Sequence, residues 1–181
     1  MTSSVTSSMT SIMSELTVPE IIDLKQVFFL KRKLVKPRKI VYPCGAVYKG
    51  ETKGKLPHGW GEILYKNNTV IAAKWVDGLA TGKGVCMSYE MTFKGDFVEN
   101  KFHGKGRLFF NDDHEYYEGS FINNEKSGQG QVLFENGCSY VGQWKNDKMN
   151  GTGSLCAQGN VYVGKWTDGQ LAKDGLVVRN D

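Results

Sequence analysis

Several things this chain lacks limit what it can be. No run of roughly 18 apolar residues occurs, so no helical membrane span is expected. The opening MTSSVTSSMTSIMSEL has neither a basic n-region nor a solid apolar h-region, which argues against a secretory signal. It also lacks Arg, which argues against a mitochondrial transit peptide. Proline is scarce, at 4 residues, while glycine reaches 22 with no G-X-Y period, so collagen is excluded. The cysteines Cys44, Cys86, Cys138 and Cys156 form no CxxC pair and fit no zinc-finger spacing. They read as free thiols in a reducing cytosol.

Acid–base and metal chemistry find few candidates. No G-x-S-x-G, HExxH or paired-acid motif is present. His58 and His103 share a polar position beside a turn, and His114 stands next to Asp112 and Asp113 without a fixed set of further ligands. Ser127-Gly128 and Gly151-Thr152-Gly153 look like phosphate loops but open no helix. No catalytic residue, cofactor or metal is therefore expected, and the chain is not read as an enzyme.

What the sequence does have is asymmetric charge and a repeat. Residues 1–41 hold seven Lys/Arg against three Asp/Glu, while residues 42–181 hold sixteen of each, so the whole excess of +4 lies in an N-terminal arm. A neutral body makes nucleic acid an unexpected partner. The repeat is anchored at Tyr48, Ile71, Phe93, Tyr117, Tyr140 and Tyr162, separated by 23, 22, 24, 23 and 22 residues. Two positions on stand Gly50, Ala73, Gly95, Gly119, Gly142 and Gly164; four positions on stand Thr52, Trp75, Phe97, Phe121, Trp144 and Trp166. A Gly-x-Gly-x-apolar segment follows in the first five units, and Lys173 replaces the leading glycine in the sixth.

Residues that recur at period two share a strand face. The connecting pairs, such as Asp77-Gly78, Glu99-Asn100 and Asn123-Asn124, are mostly Asn, Asp and Gly, which tolerate the positive φ of tight turns. Each unit thus predicts a β-hairpin. The glycines on both strands are expected to leave bare backbone under aromatic rings, with Gly95, Gly104 and Gly106 on one face. On that reading Gly104→Val overpacks the core.

YVGQWKNDKMNGTGSL (140–155) and FKGDFVENKFHGKGRL (93–108) resemble the MORN (membrane occupation and recognition nexus) repeat, Y-x-G-x-W/F followed by a turn and G-x-G-x-L. The resemblance covers roughly residues 42–178, as six tandem repeats without an attached catalytic domain. It implies a mainly β fold: an elongated single-layer antiparallel sheet of successive hairpins with a curved groove. It also implies links to membranes, the cytoskeleton and cilia. The departures are Ile71 and Ala73 in the second unit, Thr52 in the first and Lys173 in the sixth.

Three domains follow: a disordered Ser/Thr-rich tail at 1–16, an amphipathic helix and basic arm at 17–41, and the repeat array at 42–181. Thr17, Pro19 and Glu20 look like a helix start, and Ile21, Leu24 and Phe28 fall near helical spacing. Ile40 to Tyr42 and Gly45 look like half of a preceding repeat, which suggests that the sheet starts before Tyr48.

The functional expectation is a cytoplasmic scaffold or adaptor, peripheral to a membrane or the cytoskeleton, that binds a peptide or helix of a protein partner. Tyr117, Tyr140, Trp144, Tyr162 and Trp166 are the candidate contacts where exposed. Self-association through an end or edge is a further expectation. One alternative is a peripheral membrane protein that binds anionic phospholipid through Lys31, Arg32, Lys33, Lys36, Arg38 and Lys39. Another is an accessory subunit of an enzyme acting in trans.

Overall fold

The computed structural model describes residues 37–110 and 115–179. These form one open antiparallel sheet of 14 strands, taken largely in chain order. The first seven are β1 (Arg38–Val41), β2 (Val47–Lys53), β3 (Leu56–Leu64), β4 (Val70–Val76), β5 (Leu79–Met87), β6 (Met91–Val98) and β7 (Lys101–Phe110). The others are β8 (Tyr116–Ile122), β9 (Glu125–Leu133), β10 (Ser139–Lys145), β11 (Lys148–Ala157), β12 (Asn160–Thr167), β13 (Gln170–Leu171) and β14 (Leu176–Arg179). Both β13 and β14 pair with β12. The hairpin array read from the repeat is present.

No helix occurs among the described residues; the expected amphipathic helix and all but the last five residues of the 17–41 arm lie outside them. The last four, Arg38–Val41, are strand β1, with Ile40 opposite Tyr48. The sheet therefore starts before residue 42, as the half-repeat at Ile40 to Tyr42 suggested.

Each hairpin closes on a two-residue turn. Both central residues have positive φ at Asp77-Gly78, Glu99-Asn100, Asn123-Asn124, Asn146-Asp147 and Asp168-Gly169. That backbone follows the right-handed strand twist. The turns also bond sideways. Asn124 N–H donates to the Phe102 carbonyl at 2.9 Å, while Asn124 Oδ1 accepts the Phe102 N–H at 2.8 Å. Asn100 makes the same exchange with Ala80, and Asp147 with Lys126. At the first junction Gly78 donates to the Pro57 carbonyl. There the proline has no N–H to give, and the glycine has no side chain to receive one.

The two glycines of each G-x-G do different jobs, and this corrects the single-face expectation. Register shifts by two residues inside every one of the first five hairpins: Gly95 opposes Gly106, but the adjacent Asp96 opposes His103. The residues passed over include Gly59, Gly82, Gly104, Gly128 and Gly151, all at positive φ. These are β-bulge glycines. A Cβ on Gly104 would meet Asp96 at 3.0 Å, on the face away from the rings. Overpacking of the ring core at Gly104 is therefore withdrawn; its constraint is the backbone angle of +64°. The second glycines do lie under rings: a Cβ on Gly106 would collide with Phe93, and on Gly130 or Gly153 with Tyr117 or Tyr140.

The sixth unit shows the reverse case. Lys173 stands where the bulge glycine should be, and the strand breaks there into β13 and β14. The second unit is self-consistent: Ile71 has no ring to lay across the backbone, and Ala73 carries the Cβ that a ring would exclude.

The core is a chain of rings on one face of the sheet. Edge-on pairs run Phe97–Phe93–Phe121–Tyr117–Trp144–Tyr140–Trp166, with centroids 5.1 to 5.5 Å apart. Such pairs add roughly 0.5–1.5 kcal/mol each beyond area burial. Tyr48 pairs with Trp75 at 5.5 Å, and Ile71 separates that pair from the rest.

Candidate interaction faces

The polar atoms of the fully buried core rings are satisfied within the array. Tyr48, Tyr117 and Tyr140 donate their hydroxyls to the carbonyls of Glu51, Ser120 and Gln143, each three residues on. Burial pushes all three phenols above the ordinary tyrosine pKa, Tyr48 and Tyr117 well above it. The indoles of Trp75, Trp144 and Trp166 donate to Gly61, Gly130 and Gly153 carbonyls of the preceding unit. Each of these tyrosines thus locks its own unit, and each of these tryptophans locks a junction.

That geometry decides where the candidate contact residues sit. Tyr117, Tyr140, Trp144 and Trp166 are buried in the core, and Tyr162 is partly exposed. The expectation placed them at a partner where exposed, and four of the five are not. They shape the ring face from beneath. What the ring face offers outward is a partly covered set around them: Ile40, Tyr42, Tyr65, Met91, Phe110, Phe134, Met149, Leu155, Tyr162 and Leu171.

One cation stands among these rings. Lys126 Nζ lies 5.4 Å from the centroids of Tyr117 and Trp144 and 5.7 Å from that of Phe110. Partial burial pulls its pKa below the ordinary lysine value, against the opposing pull of Asp147 and Glu115.

The opposite face carries a row that the repeat reading missed. Directly opposed residues run across the sheet as Val41, Val47, Leu64, Val70, Met87, Thr92, Phe109, Tyr116, Leu133, Ser139, Cys156, Val161 and Val178. Only Val70 in it is fully buried. The signal was available: these are the residues immediately before each anchor and immediately after each G-x-G-x-apolar segment. The next row is mixed, with Lys94, Arg107, Glu118 and Gln131 at its centre and Arg107 bonded to Glu118 at 2.9 Å.

Of the candidate lipid contacts, Lys31, Arg32, Lys33 and Lys36 lie outside the described residues. Arg38 and Lys39 are exposed on β1, with Lys39 opposite Lys49. His58 stands 3.4 Å from Asp77, and His114 lies outside the described residues. Cys86 is buried, its thiol pushed up to about 11, while Cys44 and Cys156 are exposed. Among the described residues no group of three or more His, Cys, Asp or Glu could hold a metal ion.

These features define an open-sheet β-hairpin repeat whose units bond only to their neighbours. Four stretches match the family model of the MORN repeat, at residues 74–89, 93–114, 117–139 and 140–161. The chain is 28% identical over 146 residues to alsin of Rattus norvegicus, covering 76% of this chain and 8% of that protein. Alsin of Homo sapiens matches at 27% over the same lengths. The chain therefore spans about 8% of the length of these curated relatives. Among solved structures, the SAS-4 (dCPAP) TCP domain in complex with a proline-rich motif of Ana2 (dSTIL) of Drosophila melanogaster matches with a TM-score of 0.45. Sequence identity there is 14%, covering 78% of this chain and 82% of that one.

Proposed function

We propose that this chain is a non-enzymatic scaffold of six MORN-type units, the four matched stretches flanked by hairpins at Tyr48 and Tyr162, and that it binds a segment of a protein partner on its ring face. The carrying observation is the one-layer core. A sheet that buries its rings against its own glycines leaves Tyr65, Phe110, Phe134, Met149 and Tyr162 half covered on the same surface. Apolar and aromatic side chains held rigidly at an accessible surface are the usual centre of a protein interface. The buried anchors contribute by fixing the contour of that surface.

The test is capture from native extract with the full chain and with a Phe134→Ser/Tyr162→Ser variant whose melting curve matches the parent. Proteins recovered by the parent and lost with the variant are expected. Equal recovery of every captured protein would remove the ring face as the binding surface.

A further inference from the structure

Lys126 breaks the pattern of its own repeat. Nine residues after the other anchors stand Pro57, Ala80, Phe102, Met149 and Leu171, all apolar. Lys126 is the one charged residue in that column, and it is partly exposed. A simple packing need would be met by the methionine that the next unit uses. Here an ammonium is held over three rings instead, 5.4 to 5.7 Å from the centroids of Phe110, Tyr117 and Trp144.

The rings stabilise the charge but do not themselves engage its donors. A lysine ammonium has three N–H donors, and ring faces offer only the negative pole of a quadrupole. Among the described residues no carboxylate comes within 4.0 Å of Nζ. Asp147 and Glu115 act on the charge from beyond that distance, and Asp147 Oδ1 accepts the backbone N–H of Lys126 at 2.8 Å. The side chain is already partly stripped of water, so part of the lysine's share of the desolvation that opposes a buried charge pair has been met before any partner arrives.

We infer that Lys126 is an acid-recognition point on the ring face, and that the occupant is a protein segment presenting an Asp or Glu carboxylate flanked by apolar side chains. This rests on the scaffold reading above. The complementarity is specific in two respects. The carboxylate supplies an acceptor that no described residue gives the ammonium, and the flanking apolar groups meet Phe110, Phe134 and Met149. An exposed lysine in water would choose weakly between partners; one set in rings strongly disfavours a segment that brings no counter-charge.

A random 12-residue peptide library displayed on phage is selected against the full chain and against Lys126→Met. Methionine keeps the stem over the rings and is the residue of the next unit, and a melting curve checks its fold. The parent should enrich peptides with one Asp or Glu among apolar residues; Lys126→Met should enrich peptides without it. For the best acidic peptide, Glu→Gln should weaken binding to the parent at least about tenfold, the range of close interfacial charge pairs. The same change should leave binding to Lys126→Met unaltered. Acidic peptides enriched equally by both proteins overturn the inference.

Peptides that bind the parent, are lost with Phe134→Ser/Tyr162→Ser, and show no acid dependence overturn this inference alone. No peptide sensitive to that double variant removes the scaffold reading with it. Vesicles of phosphatidylserine and phosphatidylcholine form the last arm. Lys126-dependent vesicle binding without peptide binding would assign the site to lipid and overturn the proteinaceous occupant.

Discussion

A glycine that spares a ring and a glycine that bends a strand are indistinguishable as letters, yet substitution separates them. Gly130 lies under Tyr117, where an added Cβ would stand 2.5 Å from Cζ and 2.6 Å from Cε2. The ring is fixed by its bond to the Ser120 carbonyl and cannot swing clear. Gly130→Ala should therefore destabilise by about 1–3 kcal/mol through overpacking. Gly128, two residues earlier, has φ of +66° and nothing nearer than 3.6 Å to its missing Cβ. Gly128→Ala should cost about 1–2 kcal/mol for the left-handed backbone, and Gly128→Asn less, because Asn visits that region readily. Urea midpoints check all three. Equal losses for Ala and Asn at Gly128 would contradict the bulge assignment. The sequence shows that both columns are positional. It hides which column is which, because the bulge resets register without changing residue parity, so a period-two count places Gly104 and Gly106 together.

At the scale of the hairpin, the turn is as much a junction as a reversal. Asn124 has φ of +78° and also bonds to both backbone groups of Phe102 in the preceding unit. Asn124→Gly keeps the angle and removes the side-chain acceptor, leaving the Phe102 N–H without it. The expected loss is about 1–2 kcal/mol, the range for a hydrogen bond whose buried donor is left unmade. It should appear as faster amide exchange at Phe102, and unchanged exchange there would mean that the bond is idle. The turn residues were legible because their chemistry is local: Asn, Asp and Gly announce positive φ. The sideways bonds were not, since they join residues 22 apart. Strand β1 was half legible. The Ile40 to Tyr42 pattern showed through, but the basic run from Lys31 to Lys39 drew Arg38 and Lys39 into an arm.

Over the whole described sheet, stability is a sum of local junctions, as in other repeat architectures. Junctions from Phe93 to Trp166 share the continuous ring chain, whereas Ile71 leaves the second unit without an anchor ring. The largely apolar row on the opposite face was missed for a related reason. It belongs to no single unit and exists only once twelve ladders are in register. The site at Lys126 had a sequence signal, one charge in an apolar column, but its meaning depends on Phe110 and Trp144, which come from neighbouring units.

The strand order also sets how the molecule would carry a load. Held at Arg38 and Arg179, the two ends of the sheet, the chain bears tension across its strands, so ladder bonds meet the force a few at a time. A sheet arranged this way gives way serially, like a zip fastener. Each unit that opens releases about 23 residues, roughly 80 Å of extended chain at the usual 3.4 Å per residue. Optical-tweezer traces should show low-force steps of that size, with the unit anchored by Ile71 among the first to open. A single all-at-once rupture would show that the units do not act as separate links.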